Sequence, residues 1–203
     1  LAGVRLARFG YVLGEKTVVG PEADRYAAKV AALITELSRA SAGWAPDDHL
    51  ERDDLGPLAR VNVSVKPTAL ATHYDPLTRD VGLAGAKERL RPILRLARER
   101  GAFVNVDMEH YDAKDLTLSL FRELLSEDEF ADLPAGIVVQ AYLRDSRDDL
   151  AELIAWSARR ATPITVRLVK GAYWDAETVH ARAEGWPVPV FAGGSPVGRV
   201  TSL

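Results

Sequence analysis

The sequence predicts an α/β fold built on a parallel sheet, and three observations predict it. Strand-like and helical segments alternate along most of the 203 residues. Each strand from the second onward ends at or near a polar residue able to do chemistry. The Gly-rich turn of a dinucleotide-binding sheet, G-x-G-x-x-G, and the Walker A sequence are both absent. Alternation of this kind gives right-handed βαβ units. The polar strand ends favour a (β/α)8 TIM-type barrel, whose sites are built at the C-terminal edge of the strands. A doubly wound sheet also binds at that edge, so it stands as the alternative.

Residues 7–13 form a short strand-like stretch ended by Gly14. From 22 to 39, Ala27, Val30, Ile34 and Leu37 fall at helical spacing with charges between them, the pattern of an amphipathic helix. Residues 41–57 are polar, carry Asp47, Asp48, Glu51, Asp53 and Asp54, and read as a solvated insertion. Residues 60–66 alternate apolar and polar as a strand does; Pro67 closes it and a polar loop runs to Asp80. A helix follows over 84–100, interrupted or kinked by Pro92 and capped by Gly101. Then come a strand at 102–107, a helix at 116–125, a strand at 136–142, a helix at 148–160, a strand at 163–169 and a short helix at 176–184. Five strands, each followed by a helix, are expected to be neighbours in chain order.

Composition excludes several classes. With 47% hydrophobic and 27% charged residues the chain is an ordinary globular domain large enough for a real core. A net charge of -3 offers no basic field to nucleic acid or an anionic membrane. Zero cysteines exclude disulfides, thiolate metal sites and cysteine nucleophiles, and suit a reducing cytoplasm. No apolar run approaches the roughly 20 residues of a membrane span, and the opening LAGVRLARFG is no signal peptide. The first residue is not Met, so a chain cut from something longer is expected.

Gln140 and Arg167 each sit inside an apolar strand. An unpaired buried polar group costs about 1–3 kcal/mol, more for a charge. Both must therefore be paired, or point into a ligand-filled barrel mouth. The plain structural alternative for Arg167 is an ion pair with Asp107 or Glu15, and for Lys66 and Asp107 a scaffold pair. Gly171 and Ala172 follow Lys170 at a strand-to-helix turn, where small residues let backbone N–H groups approach a phosphate or a flat ring. His49, His73, His110 and His180 are scattered without metal-ligand spacing, so no metal is expected. Ser64 lacks a G-x-S-x-G elbow, which leaves serine-type acyl transfer unsupported.

The segment Arg167-Leu-Val-Lys-Gly-Ala-Tyr-Trp-Asp175 resembles the signature of the proline dehydrogenases, FAD enzymes that open proline catabolism. Ser64-Val-Lys66 with Ala69-Leu70 is similar to the family's Ser-x-Lys-x-x-Ala-Leu segment. Asn105-Val-Asp-Met-Glu109, Val139-Gln-Ala-Tyr142 and Leu13-Gly-Glu15 resemble three further strand ends of the family. The resemblance spans residues 7–191, with one motif per strand.

That resemblance implies oxidation of L-proline to 1-pyrroline-5-carboxylate, with electrons passed to a quinone or another acceptor. It implies catalytic roles for Asp107 and Arg167 and substrate contacts by Lys66, Tyr173 and Glu15. It places FAD contacts on Met108, Gln140, Lys170, Gly171 and Ala172. It also implies a partial barrel, because the family has eight strands and this sequence supplies five βα units over 1–191 followed by a polar 192–203 tail unlike the family. The C-terminal strands and the paired arginines that bind the proline carboxylate are then missing. The chain by itself is on that ground expected to be catalytically inert, with an unrelated flavin-binding barrel as the other alternative. The style of the resemblance is that of bacterial bifunctional proline utilization A flavoproteins. It therefore brings an aldehyde dehydrogenase domain in a longer parent, a cytoplasmic location and peripheral contact with the inner membrane face as further expectations.

Overall fold

The computed structural model describes residues 4–5, 11–12 and 20–192. Among these, six strands form one parallel sheet: β1 (Val4–Arg5), β2 (Tyr11–Val12), β5 (Asn62–Val65), β6 (Phe103–Val106), β7 (Ala135–Gln140) and β8 (Ile164–Val169), in the order β1-β8-β7-β6-β5-β2. A separate antiparallel ribbon joins β3 (Arg52–Asp53) to β4 (Gly56–Pro57). The helices are α1 (Gly20–Ser41), α2 (Asp48–Glu51), α3 (Arg79–Arg100), α4 (Lys114–Leu124), α5 (Ser146–Ser157) and α6 (Trp174–Ala183). None of them is long and apolar enough to cross a membrane.

The sheet curves. Its two edge strands, β1 and β2, are joined by a chain that covers at most about 22 Å between Arg5 and Tyr11. The edges of a flat six-stranded sheet would lie about 24 Å apart. On the concave side Arg167 Nη1 of β8 donates to Ser64 Oγ of β5 at 3.3 Å, although two strands separate them in the sheet. In a flat sheet their backbones would be about 14 Å apart.

Period-two alternation divides each strand between two faces. Val63, Val65, Val104, Val106, Ile137, Val139, Ile164 and Val166 are buried in the main core with the helices. Ala23, Tyr26, Val30 and Ile34 form the buried stripe of α1, and Leu83, Ala86, Leu90, Ile93, Leu94 and Ala97 that of α3. The two helices pack together, joined by Arg89 Nε donating to Asp24 Oδ1 at 2.7 Å.

Two expectations need correction. The sheet has a sixth strand, because Val4–Arg5, too short for any periodicity to show, pairs in parallel with Ile164–Thr165 of β8. The helix of residues 84–100 starts earlier, at Arg79, and runs unbroken through Pro92. Burial of Leu90, Ile93 and Leu94 holds it to the core on both sides of the missing N–H. The insertion at 41–57 is exposed but ordered: Asp47 Oδ1 caps α2 by accepting the His49 N–H at 2.9 Å, and Asp53 Oδ1 accepts the Leu55 N–H at 2.9 Å. Arg60 ties it down through the Ser41 and Trp44 carbonyls and the Glu51 carboxylate. Residues around Val190 lie outside the sheet. They return antiparallel along the segment after β7, with Leu143 bridged to Val190 and Phe191 N–H donating to Tyr142 O at 3.0 Å.

Of the first strand predicted at 7–13, only Tyr11–Val12 lies among the described residues. Glu15, the Leu13-Gly-Glu15 motif and all of the 192–203 tail except Ala192 lie outside them.

Candidate active site

Parallel register places Ser64, Asn105, Gly136 and Thr165 side by side across β5, β6, β7 and β8. Two residues further along the same face come Lys66, Asp107, Val138 and Arg167, at the C-terminal end of the strands. The ladder continues to that level, since Asp107 N–H donates to Val65 O at 2.9 Å.

Four polar side chains meet there. Arg167 Nη2 donates to Asp107 Oδ1 in an ion pair, and Arg167 Nη1 reaches Ser64 Oγ. Asn105 Nδ2 donates to Asp107 Oδ1 at 3.3 Å and to Ser64 Oγ at 3.5 Å. Gly136 makes room for this layer: a Cβ there would lie 2.5 Å from Asn105 Oδ1 and 2.9 Å from the Phe103 ring. Asp107 is buried and Arg167 partly exposed. Burial raises the Asp107 carboxyl above its usual range and outweighs the opposing pull of Arg167 and Lys66.

Lys66 is half-buried, with its charge felt by both Asp107 and Glu109. Its backbone N–H donates to the hydroxyl of the fully buried Tyr26 at 2.9 Å, so α1 sets the position of this strand end. Glu109 is buried and accepts from Thr68 Oγ1 at 2.8 Å and Thr68 N–H at 3.1 Å. Burial raises its carboxyl too, against those bonds and Lys66.

Gln140 is buried at the end of β7, and its Nε2 donates to Met108 O at 3.2 Å and Glu109 O at 2.8 Å. Its amide nitrogen therefore holds the loop after β6. Gln140 Oε1, Asn105 Oδ1 and Arg167 Nε are buried with no hydrogen-bond partner among the described residues. An acceptor, a second acceptor and a donor thus remain open where β6, β7 and β8 converge. Such a set suits a planar heterocycle with donors and acceptors on its edge.

Lys170 and Ala172 are exposed where β8 leads into α6, and Lys170 O accepts the Tyr142 N–H at 3.0 Å. Gly171 adopts φ +123°, and any Cβ on it would run into the Tyr142 ring. That packing is a requirement for glycine that a reading in terms of ligand approach did not contain. Tyr173 is half-buried and stacks on His110, ring centroids 4.6 Å apart and tilted by 43°.

The sequence-selected Lys66, Asp107, Met108, Gln140, Arg167 and residues 170–173 are thus all at the C-terminal edge of the sheet. Asp107 and Arg167 touch directly. The structural alternative of an Arg167–Asp107 ion pair is present, and it sits inside this cluster rather than apart from it. Asn105, Glu109 and Ser64 were missed as members. The signal was available in the run Asn105, Asp107, Glu109, three polar residues at period two on one strand end. The histidines are less scattered than their spacing suggested. His73, His110 and His180 line one pocket of about 650 Å³ with Asp112 and Glu177. No group of three His, Asp or Glu among the described residues is arranged to hold a metal ion. A cavity of about 730 Å³ lies at the other end of the strands, between Trp44, Leu50, Phe103 and Leu133. Its charged residues pair with one another across the lining, Arg60 with Glu51 and Arg98 with Asp132.

The family model for proline dehydrogenase matches residues 6–194. The chain is 31% identical over 180 residues to the bifunctional protein PutA of Klebsiella aerogenes, covering 88% of this chain and 13% of that one. It is 36% identical over 117 residues to the proline dehydrogenase of Deinococcus radiodurans, covering 58% and 34%. The crystal structure of proline utilization A from Bdellovibrio bacteriovorus, inactivated by N-propargylglycine, matches with a TM-score of 0.87 at 46% identity. That match covers 91% of this chain and 19% of the other. The chain therefore spans a small part of the bifunctional relatives it matches.

Proposed function

Because the chain belongs to the proline dehydrogenase family, we propose that it carries the FAD-dependent oxidation of L-proline to 1-pyrroline-5-carboxylate. The observation that carries this reading is the Arg167–Asp107 ion pair beside the open Gln140 Oε1 and Arg167 Nε at the C-terminal edge of a curved parallel sheet. A partial (β/α)8 barrel is the architecture that this reading uses.

The oxidation removes a hydride from carbon and a proton from nitrogen, leaving a C=N bond. FAD, when bound, supplies the acceptor for the hydride. The residues present would fit it: Gln140 Oε1 could accept from a ring N–H, Arg167 could donate to the ring's polar edge, and Met108 sits on the loop that Gln140 holds. Lys170, Gly171 and Ala172, in the turn between β8 and α6, would hold the rest of the cofactor. Lys66 offers its ammonium to the substrate carboxylate. Asp107 faces the secondary amine, and its raised affinity for a proton suits a group that helps the amine reach its neutral, oxidisable state. Tyr173 forms the wall of the substrate pocket. Arg167 supplies positive charge where negative charge builds up on reduction. The electron pair then leaves to a quinone or another acceptor. The reading extends to Glu15 as a substrate contact, to a second dehydrogenase domain in a longer polypeptide and to peripheral membrane contact.

Flavin absorbance tests it. A longer polypeptide that carries this segment together with the remaining barrel strands, purified with FAD, should retain the flavin through desalting, and anaerobic L-proline should bleach it. Retained flavin without bleaching would leave a flavin-binding chain and overturn proline oxidation. No retained flavin would overturn the assignment of Gln140 and Arg167 as well.

A further inference from the structure

Glu177 is a buried carboxylate to which the chemistry above gives no part. It lies one turn into α6, four residues beyond Tyr173, and is 6% exposed. Burying a carboxylate is costly unless it is hydrogen-bonded. Its Oε1 accepts the backbone N–H of Tyr111 at 2.8 Å, a contact between residues 66 apart in sequence. That N–H opens the short 3-10 turn Tyr111–Ala113, where no intrahelical acceptor exists for it. The same Oε1 lies 4.0 Å from His110 Nδ1, and the His110 ring stacks on Tyr173.

Tyr111 is in turn a hub for two other loops. Its hydroxyl donates to Asp145 Oδ2 at 3.2 Å, in the turn after β7. The Lys114 ammonium sits 5.9 Å from its ring and binds Asp145 and Asp149. Through one backbone N–H, Glu177 thus joins the loop after β8 to the loops after β6 and β7. The segment it fixes is 107–111, which carries Asp107 and Met108.

We propose that Glu177 is a positioning residue of the candidate site: by capturing the Tyr111 N–H it holds the 107–110 loop and the His110 ring level with Tyr173. The relevant property is an acceptor oxygen at the full reach of a glutamate side chain. Glutamine retains it, aspartate falls one methylene short, and alanine removes it. The inference rests on the functional reading only where proline is concerned.

Amide hydrogen exchange on the purified chain and proline kinetics on a longer polypeptide that completes the barrel test it together. In Glu177→Asp and Glu177→Ala the Tyr111 amide should exchange about tenfold faster or more, with Val104 and Ile137 on the strands unchanged. The Tyr173 ring resonances should lose the shift caused by the His110 ring. Glu177→Gln should keep both signals at wild-type values. With FAD and proline, Glu177→Asp should raise KM about tenfold and change kcat less than about twofold, since a pocket wall is displaced and no proton carrier is lost. Unchanged Tyr111 exchange in Glu177→Asp, or equal loss in Glu177→Gln, would overturn the proposal. If Glu177→Ala does not fold, the aspartate and glutamine variants decide. If the wild-type longer polypeptide gives no response to proline, the functional reading fails, while the exchange and ring signals still decide the role of Glu177.

Discussion

Arg167 on β8 and Asp107 at the end of β6 form an ion pair across the whole width of β7. The strand between them presents Val138 at that level, so nothing on β7 competes for either charge. Removal of the guanidinium should leave a buried carboxylate with Asn105 and Ser64 as its remaining side-chain donors. Arg167→Met should lower stability at neutral pH by about 2–4 kcal/mol. The loss should shrink in acid, where Asp107 takes a proton. Urea titrations at several pH values check this, and a loss independent of pH would mean that the pair is not its cause. The same variant should retain FAD less well.

Burial holds the Glu109 carboxyl above its ordinary range. The folded state therefore grips that proton more tightly than the unfolded chain. The resulting stability is complete below the unfolded carboxylate range, near pH 4, and is lost as pH rises through the folded value. Glu109→Gln keeps an oxygen for the Thr68 N–H and an amide for its hydroxyl. This variant should match wild type in acid and be the more stable of the two at neutral pH. Denaturation midpoints across that range measure the difference, and parallel pH curves for the two proteins would contradict it.

Gly136→Ala places a methyl group against Asn105 Oδ1 and the Phe103 ring. Neither is the free end of a long flexible side chain, so overpacking should cost about 1–3 kcal/mol. Phe103→Leu in the Gly136→Ala background should recover part of that loss. Additive losses in the double variant would show that the two sites do not meet.

Lys114 is buried with its ammonium 2.9 Å from Asp149, 3.1 Å from Asp145 and 2.8 Å from Asp115. Burial works against its charge, but the aspartates outweigh it and hold its pKa above the ordinary lysine range. Stability from this cluster should persist through neutral pH, begin to fade above the ordinary lysine range and be lost as pH rises through that raised value. Lys114→Met should cost about 3 kcal/mol, by leaving Asp145 and Asp149 facing each other without a cation. Thermal melts at pH 7 test the loss. A melt equal to wild type would show that solvent already compensates the aspartates.

Local pattern determined much of this protein by itself. The apolar runs that carry Lys66, Asp107, Gln140 and Arg167 specify four strands, and a side chain two residues from another on a strand must share its face. The stripe of Val30 and Ile34 specifies an amphipathic helix for the same kind of reason, a fixed angle per residue. Family resemblance in those same motifs selected candidate residues that the fold brings to one edge of the sheet. Tertiary structure decided what periodicity does not encode. The sheet had to curve before Arg167 could reach Ser64. Gly171 needed the Tyr142 ring beside it before its missing Cβ acquired a reason. Val4–Arg5 is too short to carry a pattern, and only the open edge of β8 makes it a strand. Glu177 reads as one more polar residue on a helix, because the N–H that it captures is brought there from Tyr111 by the fold. Periodicity reports which way a side chain faces along its own element; which partner waits there is set by how the elements pack.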